Sequence, residues 1–312
     1  MRRVVLAGYV VASVASGVAV GCSDTASIGS PSTSAATTTT APISTSTAIT
    51  TSTSTSTSTT IPTTIPTTIP TTIPTTIPTT APTTIPTTIA SGPTDFLGEE
   101  VVGSSVQGRP IIASHRGTPG GMVILVVGVI HGDENAGLAV LDTLAEMPIP
   151  AGLDLWLMPA LNPDGLANDE RGNGNGVDLN RNFPHDWTQI GTPGAGQYSG
   201  TGPASEPETQ AFIAFTQRIK PTLTLWYHQD LYRVSPSSGR DAPLRQRYVE
   251  LTGLGYASIT GGIYTGVAAT WVRLTVPDAM SFIVELGSSL SAEEAAVHAQ
   301  AVAAVAQLAA TV

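Results

Sequence analysis

The sequence predicts an α/β domain with a mixed, mostly parallel central sheet and helices on both faces, preceded by a disordered Thr/Pro-rich linker. Residues 25–94 contain no charged side chain and consist almost entirely of Thr, Ser, Pro, Ile and Ala. Such a composition buries too little apolar surface to offset the entropy cost of ordering. Residues 96–312 are numerous enough for one globular domain. Strand-like and helix-like segments alternate within them, which is typical of an α/β fold.

The first 22 residues have the pattern of a secretory signal sequence. Arg2 and Arg3 precede an uncharged, largely apolar run at residues 4–21. The run ends in the letters AVGC, which resemble a bacterial lipobox with Ala19 at the position that prefers Leu. We therefore expect lipidation of Cys22 and a domain anchored to the membrane at the bacterial cell surface, outside the cytoplasm. Two alternatives stay open: an uncleaved membrane anchor, or ordinary signal cleavage and secretion.

Residues 23–95 are predicted to form the disordered linker. Its second half repeats a four-residue unit of sequence IPTT, from Ile61 to Thr88, with Ala81 replacing Ile once. Proline at every fourth position favours extended polyproline II and prevents a regular helix. We expect this segment to act as a spacer that holds the domain away from a membrane.

Charge and cysteine content exclude several classes of function. The chain has a net charge of −10, and residues 96–312 lack clusters of Lys and Arg. Because phosphate contacts need a basic surface, we expect no nucleic-acid partner. A single cysteine excludes a disulfide framework and a Cys-rich metal site. We expect a monomeric domain.

The predicted elements of the domain follow in chain order. Residues 122–130 form a continuous apolar run rich in Val and Ile, typical of a strand buried on both faces. The other predicted strands are 153–161, 222–227 and 280–286, and the predicted helices are 134–146, 206–219 and 291–311. Ser291 and Glu294 form a capping-box pattern at the start of the last helix. Ligands of such sheets bind at the carboxyl ends of the strands.

Two histidines and one glutamate lie at predicted strand ends. His131 and Glu134 follow the first strand, three residues apart, and His228 ends another strand. Two His and one Glu, with an open fourth position for water, form the ligand set of a hydrolytic zinc site. Cobalt or manganese can occupy the same ligands. From spacing alone, ordinary surface or buried histidines remain the alternative.

Two further features carry candidate chemistry. Glu285 lies within the apolar run 281–286, where a carboxylate is costly unless it is paired, protonated or at a pocket mouth. Desolvation raises the pKa of such a carboxyl, which suits a general base, although a solvent-facing edge-strand Glu is the alternative. Residues 162–184 are polar and contain Arg171 and Arg181, whose planar guanidinium groups match a carboxylate or an oxyanion. An ordinary solvated loop is the alternative there.

Together these motifs resemble the zinc carboxypeptidase family over residues 110–287. The matching motifs, in chain order, are His131-x-x-Glu134, Asn162-Pro163-Asp164-Gly165, Arg171-x-Asn173, residues 176–183 (GVDLNRNF), Ser205-Glu206-Pro207-Glu208, His228 and Glu285. The resemblance implies that His131, Glu134 and His228 bind one zinc ion with water in the fourth place. It also implies that Glu285 takes a proton from that water and passes it to the leaving amine.

The resemblance implies roles for five more residues. Arg171 would stabilise the tetrahedral oxyanion. Asn180 and Arg181 would bind the free carboxylate of the substrate, which restricts cleavage to a site at or near a terminus. Tyr264 would close over the substrate. Asp178 would orient the first His ligand.

The expected substrate follows from similarity within the family. Residues 176–184 and His228-Gln229 are similar to bacterial murein peptide amidases, which hydrolyse the γ-D-glutamyl–diaminopimelate bond of cell-wall peptides. An exported, tethered protein would meet that substrate outside the membrane. The alternatives are a general extracellular metallocarboxypeptidase, an amino-acid deacylase and a non-catalytic wall-binding lipoprotein. Side-chain selectivity is expected to depend on residues of the stretch 255–271.

Overall fold

Four parallel strands form the centre of an eight-stranded sheet in the computed structural model, which describes residues 95–312. The strands are β1 (Phe96–Ser104), β2 (Pro110–Gly117), β3 (Met122–Val129), β4 (Leu153–Ala160), β5 (Leu223–Gln229), β6 (Arg233–Val234), β7 (Gly255–Tyr256) and β8 (Met280–Leu286). Their spatial order is β1-β2-β4-β3-β5-β8-β6-β7. The signal sequence, the lipidation site Cys22 and the linker over residues 1–94 lie outside the described residues.

The sheet is mixed, as predicted. Strands β4, β3, β5 and β8 are parallel, whereas β1 and β2 form an antiparallel hairpin that joins β4 at one side. At the other side β6 is antiparallel to β8 and parallel to β7. Because β5 and β8 run parallel in adjacent positions, the Cα atoms of His228 and Glu285 are register partners near the carboxyl ends of both strands.

Residues 95–312 contain six helices. They are α1 (Gly137–Glu146), α2 (Pro163–Asn168), α3 (Pro207–Ile219), α4 (Ala242–Thr252), α5 (Ala268–Thr275) and α6 (Ala292–Ala309), with one 3-10 turn at Leu179–Arg181. Helices α1, α4 and α6 pack on one face, and α3 and α5 pack on the other. Within residues 95–312, no helix combines the length and the apolar character that a membrane crossing requires.

The apolar run of β3 explains why it lies at the centre. Ile124 and Val126 contribute to the core under α1, α4 and α6, while Leu125 and Val127 contribute to the core under α3 and α5. A strand buried on both faces needs apolar residues at every position, because successive side chains point to opposite faces.

Most predicted boundaries agree with the structure within one or two residues, but the start of α1 does not. The sequence pattern predicts a helix from residue 134, whereas α1 begins at Gly137. Residues 131–134 instead form a tight turn in which the Glu134 amide donates to the His131 carbonyl at 3.1 Å. This turn directs the Glu134 side chain toward His228 instead of along a helix surface. The predicted capping box of α6 is confirmed at Ser291 and Glu294.

Several elements were not predicted from the sequence. These are the β1–β2 hairpin, the short strands β6 and β7, and the helices α2, α4 and α5. The apolar residues Phe96, Leu97 and Val101 of β1 are exposed. The hairpin therefore lacks the continuous buried apolar run that identifies a central strand. Helix α5 has only eight residues, too few for a periodic pattern to emerge.

Candidate active site

Three side chains converge where β3 and β5 end. The Nδ1 atom of His131 lies 3.0 Å from Oε1 of Glu134, and the Nδ1 atom of His228 lies 2.8 Å from Oε2 of the same carboxylate. One ligand atom from each residue lies within 4.8 Å of the other two. The structure therefore brings together the predicted metal ligands.

The donor set fits a zinc ion. Both histidines are buried, and within residues 95–312 the Nδ1 atom of His131 has no hydrogen-bond partner of acceptable geometry. A buried polar atom without a partner is costly, and a cation shared with Glu134 satisfies it. Imidazole nitrogen and carboxylate oxygen are the donors that Zn²⁺ accepts in proteins.

The charge state of these groups depends on their close packing. Burial favours the neutral form of His131, but the Asp178 and Glu134 carboxylates overcome it and raise its pKa to about 9. Burial also opposes ionisation of Glu134, yet its close contacts with His131 and His228 hold its pKa far below its ordinary value. Burial lowers the pKa of His228. A metal ion must therefore displace a proton from His131, which makes binding depend on pH.

Asp178 connects the histidine ligand to the polar segment 162–184. Its Oδ1 atom lies 2.9 Å from Nε2 of His131 and accepts the backbone N–H of Asn180 at 2.9 Å. Its Oδ2 atom accepts Nη2–H of Arg171 at 2.9 Å. The pKa of Asp178 lies well below its ordinary value because His131 and Arg171 outweigh the cost of burial. Asp178 thus contacts the imidazole nitrogen opposite the one that faces Glu134.

Arg171 borders the same site. Its Nη1 atom donates to Oε1 of Glu134 at 2.6 Å, in addition to the contacts with Asp178. Although burial opposes it, the two carboxylates raise its pKa above the ordinary value, so the guanidinium stays charged. A fixed cation beside the metal ligands can stabilise a developing oxyanion.

Glu285 lies on β8 at the wall of the site. The residue is only 8% exposed, and within the described chain its Oε2 atom has no hydrogen-bond partner. Burial and the nearby charge of Glu134 raise its pKa from 4.5 to about 7. A carboxyl whose pKa lies near neutrality suits proton transfer in both directions.

The three residues assigned to substrate binding line one side of the site. Arg181 is buried, donates from Nη1 to the Asn180 carbonyl at 2.9 Å, and lies 5.3 Å from the centre of the Tyr264 ring. The Asn180 side chain is engaged as well, since its Oδ1 accepts the Ala268 N–H at 3.0 Å and its Nδ2 lies 3.4 Å from Nε2 of His228. Tyr264 is half exposed and lines the same cavity as Arg181.

Two of the remaining sequence motifs form hydrogen bonds and packing contacts that hold the segments around the site in place. A Cβ atom on Gly132 would lie 1.9 Å from the backbone of Gly165, so only glycine allows the turn after β3 to contact α2. Asn162 begins α2 by accepting the Gly165 N–H at 2.9 Å. In the second motif, Nδ2 of Asn173 donates to Oε2 of both Glu206 and Glu208, at 2.8 and 2.9 Å.

Sequence reasoning gave no role to Gln229, the residue after the His228 ligand. Its Oε1 atom accepts the Ala136 N–H at 2.7 Å, and its Nε2 atom donates to the Ser288 carbonyl at 2.9 Å. Its backbone N–H donates to Oε2 of Glu134 at 3.2 Å. Gln229 therefore ties together the segments after β3, β5 and β8. The one sequence signal for this role is that Gln229 is a polar residue at the end of a strand.

The metal-ligand candidates and most of the other predicted site residues face one cavity of about 390 Å³. Its wall includes the three metal-ligand candidates and five further residues singled out in the sequence, Arg171, Asn180, Arg181, Tyr264 and Glu285. Four residues of the stretch 255–271 also line it: Ile259, Tyr264, Val267 and Thr270. The arrangement combines a metal site, a buried carboxyl and two cations.

Comparisons with known proteins agree with this site. The family model described as zinc carboxypeptidase matches residues 92–232. Murein peptide amidase A of Escherichia coli is 33% identical over 145 residues, which are 43% of this chain and 60% of that protein. This chain thus matches less than two thirds of that relative's length.

Solved structures extend the likeness to most of the domain. The murein-tripeptide amidase of Escherichia coli superposes with a TM-score of 0.55 and 27% identity, covering 70% of this chain and 93% of that one. Carboxypeptidase A of Helicoverpa armigera gives a TM-score of 0.58 at 18% identity, covering 69% and 68%, which shows the shared fold alone. The chain is thus similar to the zinc carboxypeptidase family, with the family model matching residues 92–232. Members of that family use one zinc ion, and His131, Glu134 and His228 form the corresponding site.

Proposed function

We propose that this protein is a zinc-dependent peptidase that hydrolyses a peptide bond next to a free C-terminal carboxylate, with murein peptides as its substrate. The observation that carries this proposal is the position of Glu285. Its buried, unpartnered carboxylate oxygen lines the same cavity as the His131–Glu134–His228 cluster and Arg181. A metal site, a near-neutral base and a cation are the parts that hydrolysis of a carboxylate-bearing peptide needs.

A zinc ion held by the two histidines and Glu134 supplies a Lewis acid that polarises the scissile carbonyl and lowers the pKa of water. The residues of the chain provide the remaining steps. Arg181 pairs with the substrate carboxylate, and Asn180 borders the same part of the cavity. Arg171 donates to the oxygen of the scissile carbonyl as negative charge develops there.

Glu285 moves the proton. In its ionised form it accepts a proton from the attacking water, and it then delivers that proton to the leaving amine nitrogen as the C–N bond breaks. The pKa of about 7 allows both transfers near neutral pH, because neither protonation state is strongly favoured.

The murein substrate is supported by similarity. The residues 176–184 and His228-Gln229 are similar to murein peptide amidases, and one such amidase is 33% identical to this chain over 145 residues. We therefore propose cleavage of the γ-D-glutamyl–diaminopimelate bond. A general carboxypeptidase is the second candidate, because the aliphatic side chains of Ile259, Val267 and Ile283 in the cavity wall suit an apolar C-terminal residue.

We also propose that the protein acts outside the cytoplasm, attached to the membrane through a lipid on Cys22 and separated from it by the Thr/Pro linker. The support is the signal-like start and the AVGC letters that end at Cys22. Labelled fatty acid should be incorporated by the wild-type chain and not by a Cys22→Ala variant. Incorporation by both would rule out lipidation at Cys22.

The experiment that tests the activity is hydrolysis of L-Ala-γ-D-Glu-meso-diaminopimelate by the purified, zinc-loaded full chain. Ordinary peptides with free C-termini are assayed beside it, together with a chelator control and a Glu285→Gln variant. Release of diaminopimelate that both controls abolish supports the murein amidase. Cleavage of ordinary peptides alone supports the general carboxypeptidase. No turnover of either substrate by the zinc-loaded chain contradicts the proposed peptidase activity.

A further inference from the structure

One charged group on the cavity wall has no role in the scheme above. Asp230 follows Gln229 at the end of β5, is exposed, and lines the cavity together with Glu134 and Glu285. Within residues 95–312, no cationic side chain forms an ion pair with its carboxylate. The neighbouring Arg233 donates from Nε to the Leu231 carbonyl at 3.1 Å instead.

The two arginines of the cavity are already engaged with other groups. Arg171 pairs with Glu134 and Asp178. Arg181 contacts the Asn180 carbonyl and the Tyr264 ring. Neither arginine forms an ion pair with Asp230 within the described residues, so its carboxylate is open to a cationic group of a ligand.

The position of Asp230 indicates which part of a substrate it meets. Asp230 borders both the main cavity and an adjoining depression of about 340 Å³, which is also lined by Asp133, Glu134, Gln229 and Ser288. Asn180, Arg181 and Tyr264 line the main cavity but do not border this depression. A substrate whose C-terminal carboxylate lies at Arg181 and whose scissile bond lies at the metal ligands therefore extends its acyl side toward Asp230.

We propose that Asp230 is a specificity-determining residue that binds an ammonium group on the acyl side of the scissile bond, such as the free N-terminus of a short peptide. This inference rests on the proposed peptidase function. An ammonium ion suits the site because it is small, carries three donors and pairs with a carboxylate at a partly solvated rim. Asp230 also lies close enough to Glu285 for its charge to contribute to the raised pKa of that group.

The test compares three peptides on the zinc-loaded full chain. They are L-Ala-γ-D-Glu-meso-diaminopimelate, its N-acetylated form, and a form whose C-terminal residue is 2-aminopimelate and so lacks the distal ammonium. We expect acetylation to lower kcat/KM about 5-fold, the size of one partly exposed ion pair. Replacing diaminopimelate by 2-aminopimelate, which removes the distal ammonium, should not change the effect of an Asp230 substitution on kcat/KM.

Matched variants assign the preference to Asp230. Asp230→Asn should reduce the 5-fold preference to about 1-fold, mainly through KM, and Asp230→Lys should favour the acetylated peptide. Asp278→Asn serves as the control: it removes the same charge from an exposed position whose positive φ asparagine tolerates. It should retain the full preference.

The outcomes separate this proposal from the proposed function. If the wild-type chain cleaves both N-terminal forms equally, or if Asp230→Asn keeps the preference, the role of Asp230 is wrong while the peptidase stands. If Asp230→Asn slows the diaminopimelate peptide but not the 2-aminopimelate peptide, Asp230 binds the distal ammonium and the acyl-side assignment is overturned. If no peptide is cleaved, calorimetry with zinc-loaded Glu285→Gln protein decides. Binding of the free amine that is about 5-fold tighter and depends on Asp230 supports the subsite, and equal or absent binding rejects it.

Discussion

The Oδ1 atom of Asp178 lies 2.9 Å from Nε2 of His131, so that Nδ1 of the same ring faces Glu134. This contact determines which imidazole nitrogen is available to a metal ion. It also places a buried negative charge behind the ligand, which increases the basicity of the ring. We therefore expect the zinc site to depend on Asp178, which lies 47 positions from His131 in the sequence and is not among the metal-ligand candidates.

We predict that Asp178→Asn weakens zinc affinity by about 10–100-fold, because the amide removes the charge that orients and polarises His131. Competition with a chromophoric chelator measures this affinity directly. Asp186→Asn is the control, since the Asp186 side chain is 77% exposed and contacts only His185 among the ion pairs of the described chain. Equal affinities of the two variants would show that Asp178 does not support the metal site.

A second prediction concerns Gln229. Replacement by Ala leaves the Ala136 N–H and the Ser288 carbonyl without their partners, and it detaches the segments around Glu134 from one another. We expect the free energy of unfolding to fall by about 1–3 kcal/mol and zinc affinity to fall with it. Urea denaturation and chelator competition measure the two effects.

The matched control for Gln229 is Gln210→Ala. Gln210 is an exposed glutamine whose Nε2 atom donates to the Ala204 carbonyl at 2.9 Å, away from the cavity. It should lose little stability and no zinc affinity. If both variants bind zinc as the wild-type chain does, Gln229 supports only the fold.

Site residues at strand ends could be identified from the sequence, whereas site residues whose role depends on loop packing could not. His131, His228 and Glu285 were predictable because long apolar runs define where each strand ends, and a charged residue there stands out. Parallel strands then place those ends at one edge of the sheet. The predicted ligands therefore converge in the structure.

The contacts of Gln229 and the position of Asp230 could not be predicted in this way. Each depends on how loops after separate strands fold against one another, and no periodic pattern encodes that. The early start predicted for α1 has the same origin. Helical periodicity continues through residue 134, but the turn from His131 to Glu134 is determined by packing against Gly165.

The pKa of Glu285 predicts how activity depends on pH. Its carboxyl must be ionised to accept a proton, and burial and Glu134 raise its pKa from 4.5 to about 7. We therefore expect kcat/KM to rise as pH increases through 7 and to fall about 10-fold for each pH unit below it. Steady-state rates in buffers of constant ionic strength measure this acid limb.

The Glu285→Gln variant tests the assignment of that limb. It should lose about 10²–10⁴-fold in kcat, and any residual activity should no longer follow an ionisation near pH 7. An acid limb near pH 4.5 in the wild-type chain would contradict the raised pKa. An unchanged limb in the variant would assign it to another group.

The last prediction concerns stability, and it involves a buried histidine far from the metal ligands in the sequence. His298 on α6 is 4% exposed, and its Nδ1 atom lies 2.8 Å from the hydroxyl of Tyr248, which in turn lies 3.0 Å from the Tyr227 hydroxyl. Burial lowers the pKa of His298 from 6.5 to about 4. The folded protein thus binds fewer protons than the unfolded chain between pH 4 and pH 6.5.

Stability must therefore fall as pH decreases through this window, because protons bind preferentially to the unfolded chain. The contribution of His298 is complete above pH 6.5 and lost below pH 4, and its size is about 3 kcal/mol. A His298→Asn variant keeps a polar group near Tyr248 but cannot titrate. Urea denaturation at pH 4.5 and pH 7 should show a smaller pH-dependent loss of unfolding free energy in the variant than in the wild-type chain. Equal losses in the two proteins would mean that the pKa of His298 is the same in the folded and the unfolded chain.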